Sequence, residues 1–193
     1  MRVGAGRATV AEILDLERFR AKLAADQGFR SWLLRFNEQF GPLTRLRDLS
    51  PSTLLYLASP GEENLYVFFD LVMGARGLGG SVRFRLDDLE DGAKLKIMDT
   101  AFALMDRVRY ELMRRLGWVE EGPGSDRPII QLVQEAWRPE PNFAREVPRL
   151  SPEHPDYQAY ARLNPMDRAV FIRRLIPRAV AAFRERLEAG QQA

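Results

Sequence analysis

Asp99 and Asp106 stand seven residues apart, two turns along one face of any helix that holds both, with Tyr110 one turn further on. Carboxylates gathered on one face can supply oxygen ligands to Mg²⁺, a cation that usually draws its ligands from several elements. Asp70, in the apolar stretch Phe68-Phe69-Asp70-Leu71-Val72, is the donor a second element could add. Asp70, Asp99 and Asp106 are therefore the candidate metal ligands, and the basis for reading the chain as a carboxylate-based metal-dependent enzyme or small-ligand binder. The stronger expectation for them is ion pairing. A buried Asp70 needs a partner such as Arg109, and Asp106 stands three residues from that same arginine.

Little other catalytic chemistry is open to the chain. It has no cysteine and one histidine, His154. That excludes a thiolate nucleophile, an iron–sulfur cluster, a disulfide, sulfur-ligated zinc and any site built from several imidazoles. One histidine suffices for a general base. His154, however, lies in Ser151-Pro152-Glu153-His154-Pro155, whose prolines suggest a surface loop, and no Ser/Asp constellation accompanies it. The glycine-rich segment Gly74-Ala75-Arg76-Gly77-Leu78-Gly79-Gly80-Ser81 could let backbone amides approach a phosphate, with Arg76, Arg83 and Arg85 supplying charge. No Gly-Lys-Ser/Thr follows it, so it reads as a helix C-cap leading into a flexible connection. Any role it has is expected at a partner surface. Arg76, Arg83 and Arg85, with Trp137 and Phe143, are accordingly the candidate partner-binding residues, and no cofactor is expected.

The composition sets the class. A chain of 193 residues with 46% hydrophobic content can bury the core of one domain, and its 29% charged and 10% aromatic residues argue against disorder. The 29 Lys+Arg nearly balance the 27 Asp+Glu, leaving a net charge of +2. Acidic residues interleave with the arginines, so the alkaline pI of about 9.1 does not describe a clustered basic face and nucleic-acid binding stays a secondary alternative. The most apolar stretch, 65–73, is far short of the roughly 18–20 residues of a membrane span, and the N-terminus lacks the apolar run of a secretory signal. A soluble cytoplasmic protein is expected.

The elements that must position these residues read as helices. Thr9 with Glu12 fits a capping box, and Ser50-Pro51, Ser59-Pro60-Gly61-Glu62, Ser151-Pro152 and Asn164-Pro165-Met166-Asp167 are further helix starts. Apolar spacing predicts helices at 10–25, 29–40 (an aromatic stripe of Phe29, Trp32, Phe36 and Phe40), 51–58 and 61–74. The longest, about 90–116, carries Ile97, Ala101, Leu104, Met105, Val108, Leu112 and Leu116 on one stripe. Arg107, Glu111 and Arg115 lie opposite, as a solvated face would. Asp87–Asp91 precedes this helix and suits the positive end of its dipole. The last helix, 165–188, contains Pro177 and should kink or break near 174–177. Seven of the twelve prolines fall between Pro123 and Pro155, which predicts an irregular arm over 119–164, pinned by Trp137, Phe143, Val147 and Leu150, with 129–137 helical or extended. Strand-favouring residues at 65–69 and the alternation at 81–86 leave room for one short β-hairpin near 65–86.

The expected architecture is thus one all-α domain over 1–193, about six helices around the 90–116 strut. The expected function is a non-catalytic interaction or accessory protein that binds another protein through helical faces and the arm. The aromatic content leaves room for a homodimer.

Overall fold

The computed structural model describes residues 10–79, 88–122, 124–138 and 146–191. These form eight α-helices: α1 (Val10–Gly28), α2 (Arg30–Phe36), α3 (Pro51–Ala58), α4 (Glu62–Ala75), α5 (Asp91–Arg115), α6 (Ile129–Ala136), α7 (Tyr157–Ala161) and α8 (Pro165–Gln191). A 3₁₀ turn, Leu46–Asp48, lies between α2 and α3. No strand occurs among the described residues, and isolated bridges at Arg45–Pro128 and Val119–Leu150 tack connecting segments together. The protein is all-helical, as the spacing of its apolar residues implies.

α5 is the strut. Its stripe of Ile97, Ala101, Leu104, Val108 and Leu112 is at most 2% exposed, and α3, α4, α6 and α8 all pack around it. Because it is enclosed on so many sides, its polar face is not solvated as the sequence suggests. Arg107 and Glu111 are 6% and 4% exposed.

α4 shows why strand propensity at 65–69 does not yield a strand. Val67, Phe68, Leu71 and Val72 are buried at helical spacing, so packing overrides the preference of the single residues. The Asn64 side chain donates to the carbonyls of Tyr56 and Ser59, both at 2.7 Å, tying the start of α4 to the end of α3. The second half of the suggested hairpin, 81–86, lies outside the described residues, as does Thr9 of the first capping box.

Several boundaries differ from the sequence reading. Ser50 caps α3 by accepting the Thr53 amide at 3.1 Å, and Asn164 caps α8 by accepting that of Asp167 at 3.0 Å while its own amide donates to the Asp167 carboxylate. Ser59 caps nothing at the head of α4. Its hydroxyl turns back to the Leu55 carbonyl at 2.7 Å, and Ser151 heads turns rather than a helix. α2 stops at Phe36, because Asn37 adopts a left-handed conformation (φ 52°) that asparagine tolerates. Phe40 nonetheless stacks on Phe29 at 5.3 Å, completing the aromatic core with Trp32, whose indole donates to the Val67 carbonyl at 3.0 Å.

The arm is more regular than expected. It contains α6, with Ile129, Ile130, Leu132 and Val133 buried, and α7. α8 runs through Pro177 without a break. The proline forfeits one backbone bond, but Ile172 and Leu175 before it and Ala179, Val180 and Phe183 after it are buried, and their packing holds the helix together.

Candidate interaction surfaces

α5 and α8 run side by side in the same direction. Arg173 donates through Nε to Asp106 at 3.3 Å, and further along both helices Arg186 donates to the Arg115 carbonyl at 3.2 Å. One turn before this first ion pair, each helix presents an apolar side chain to solvent, Phe102 on α5 and Val170 on α8, both 46% exposed. The line continues toward the helix starts with Leu95 at 61% and Met166 at 82%. The ion pair borders a cleft of about 290 Å³, lined by the apolar Ala58, Pro60, Ile176, Pro177 and Val180 and by the charged Asp106, Arg109 and Arg173. The edge therefore carries exposed apolar side chains, with Asp99 between Leu95 and Phe102, and leads to a charged cleft.

The sequence-derived metal residues separate. Asp106 is held by Arg109 at 3.7 Å and Arg173 at 3.3 Å, Asp99 is exposed, and Asp70 lines a different groove, between α2 and α4. Among the described residues no group of three or more His, Cys, Asp or Glu side chains could hold a metal ion. Ion pairing accounts for Asp106, and Arg109 also donates to the Ala58 carbonyl at 3.3 Å. The Tyr110 phenol is pushed up to about 12, mainly by burial and then by the negative Asp106, with Arg173 and Arg107 acting the other way. At neutral pH it stays protonated and cannot serve as a base.

Two of the candidate partner-binding residues do come together. The Arg76 guanidinium lies 4.9 Å from the Trp137 ring centre and Lys96 Nζ lies 5.2 Å from it, joining the ends of α4 and α6 to the start of α5. A cation over a partly exposed indole gains about 0.5–1 kcal/mol. Among the described residues neither cation forms an ion pair. Arg83, Arg85 and Phe143 lie outside the described residues.

His154 is not on the surface. It is 5% exposed, with its ring edge-on to Trp118 at 5.1 Å, and Arg178 lies over that indole at 5.6 Å. Nδ1 accepts the Asp156 amide at 3.1 Å, so the neutral ring carries its proton on Nε2, which is buried and meets no acceptor among the described residues. Burial lowers the His154 pKa below its usual value, Asp156 opposes that, and Arg178 reinforces it. The side chain is a neutral packing element whose one lone pair is already in use.

The polar centre that sequence reasoning missed is Glu111. It accepts from Arg114 at 2.7 and 2.8 Å and from Arg115 at 3.0 Å, and Arg115 also reaches the carbonyls of Leu46, Arg47 and Leu49. Burial pushes its carboxyl up, but the bonds and charges of the two arginines outweigh this and hold it below the ordinary value. The i, i+3 and i+4 spacing was legible, whereas the covering segment that buries it was not. Nearby, buried Arg107 pairs with Glu146 at 2.9 Å across to the arm.

No family model matches the chain, and no curated protein or solved structure matches it either. Among the described residues no helix is long and apolar enough to cross a membrane.

Proposed function

We propose that the protein is a non-catalytic interaction or accessory protein of the cytoplasm that binds another protein through helical faces, chiefly the α5–α8 edge, and through the Pro-rich arm. The observation that carries this reading is the line Leu95, Phe102, Val170 and Met166, large apolar side chains left in water along two adjacent helices, with Phe102 and Val170 each one turn before the Arg173–Asp106 ion pair. Apolar exposure gathered along one edge marks a binding surface more often than scattered single residues do. The groove suits an amphipathic helix that lays its apolar face on these side chains and sets acidic residues against exposed Arg173 and Arg174.

Phe102→Asp combined with Val170→Asp tests it, because both side chains are half in water and an introduced carboxylate there stays solvated. Native mass spectrometry of gently recovered wild-type protein is expected to show a second polypeptide at fixed stoichiometry, and the double variant to lack it while keeping wild-type circular dichroism. Equal recovery of that polypeptide by the variant sinks the reading.

A second reading, nucleic-acid binding, draws on the cation pair over Trp137. It requires an affinity that falls steeply as salt rises, through release of counterions from phosphates. A salt-independent response removes it.

A further inference from the structure

α1 and α2 form almost one helix. The Phe29 amide bonds to the Ala25 carbonyl at 2.9 Å and the Leu33 amide to that of Phe29 at 2.8 Å, so the helical ladder crosses the junction. An amphipathic helix normally turns its bulky residues to the core. α1 does the reverse. Its small residues Ala24, Ala25 and Gly28 pack on α4, so closely that a Cβ added at Gly74 would sit 2.4 Å from the Gln27 carbonyl oxygen. Its large residues Leu16, Phe19 and Leu23 are 50%, 63% and 46% exposed. Exposed Asp26 and Arg30 and part-exposed Leu33 continue the same heptad line on the side opposite Ala25 and Trp32. A helical face of this kind wants a cover, since apolar area left in water is unfavourable.

The face is complementary to itself. It carries one acid and one base, Asp26 and Arg30, and among the described residues neither is in an ion pair. Place a two-fold axis across the helix near residue 28, and Asp26 meets Arg30 of a second copy while its own Arg30 meets that copy's Asp26. The same operation sets Leu23 against Leu33 on both sides of this centre, while Phe19 falls opposite Asn37, just past the end of the second copy's α2. Such a closed contact uses the same patch twice, as cyclic dimers do. From this placement we infer that the chain forms a homodimer through antiparallel pairing of its α1–α2 faces. The surface is separate from the α5–α8 edge, so this inference and the proposed function can fail independently. A helix pair of this length buries less than a standard interface, so the dissociation constant is expected on the order of micromolar.

Sedimentation equilibrium of the full chain from about 1 to 300 µM brackets that range. Wild type is expected to show a reversible monomer–dimer equilibrium. Asp26→Arg and Arg30→Asp each set like charges against one another across the axis, and each should weaken the dimer at least about tenfold, one step of 1.4 kcal/mol. Mixing the two variants restores both opposite-charge contacts, so the equimolar mixture should regain association as a heterodimer, seen as the mixed mass by native mass spectrometry. Leu23→Glu should be monomeric. All three side chains are at the surface, and melting curves like wild type confirm that each variant is folded. A wild type that stays monomeric throughout, charge-reversed variants that dimerise as well as wild type, or a mixture that stays monomeric would each overturn the inference.

Discussion

Replacing Glu111 with glutamine tests whether the buried charge centre holds the strut to its surroundings. The substitution keeps the volume and removes the charge. Glu111 is 4% exposed and takes three hydrogen bonds of 2.7–3.0 Å from Arg114 and Arg115. Arg115 in turn clamps the 3₁₀ turn through the Leu49 carbonyl at 2.8 Å. Removing one partner from a buried charge pair costs about 3–5 kcal/mol, because the other charge is left uncompensated. Arg114 keeps 35% of its side chain in water, which screens part of its share, so the lower figure of about 3 kcal/mol applies. In a chain of this size that is a loss of roughly 6–12 °C in melting temperature. The pH dependence gives an internal control. The Glu111 carboxyl titrates below its ordinary value in the folded state, so its contribution is full above about 4.5 and is lost as pH falls through the folded pKa. The gap between wild type and Glu111→Gln in urea unfolding should therefore be wide at pH 7 and narrow below pH 4.5. A variant within about 1 kcal/mol of wild type at pH 7 would refute the reasoning.

His154 carries the opposite protonation logic to the same outcome. Its folded pKa lies below 6.5, so the unfolded chain binds the proton more readily and stability declines as pH falls from 6.5 toward the folded value. His154→Gln should flatten the slope of unfolding free energy between pH 7.5 and about 5 relative to wild type, and an unchanged slope shows that the ring is not the titrating group. Gly74→Ala forces a methyl against the backbone of Gln27, and a loss of at least about 2 kcal/mol is expected in chemical denaturation. A neutral Gly74→Ala would mean that α1 and α4 separate freely. Asn164→Ala removes the α8 cap and should cost about 1 kcal/mol, with little change if solvent replaces the bond equally well.

Much of the fold was legible because it follows local rules. The strut, α3, α4 and the start of α8 sit where apolar spacing and Ser/Asn–Pro starts put them. What was not legible depends on which segment lies over which. Arg107 and Glu111 occupy a face that reads as solvated, and only the arm and the 3₁₀ turn packed against α5 bury them. His154 reads as a loop residue because prolines flank it, yet Trp118, far away in sequence, closes over it. Leu16, Phe19 and Leu23 mark the first helix in the sequence, yet their side chains face outward. Their spacing is that of an amphipathic helix, and nothing local says which of its two faces meets α4. Of the candidate site residues, Arg76 and Trp137 come together, and the three aspartates do not assemble. Asp106 already has arginines on two sides.

The central claim, that another protein docks on the α5–α8 edge, is tested most directly by photo-crosslinking. A photoreactive amino acid replaces Phe102 on α5 or, as control, exposed Gln131 on α6. The expected result is one crosslinked second polypeptide from position 102 and none from position 131. The same adducts from both positions, or none from 102, would contradict a docking edge formed by α5 and α8.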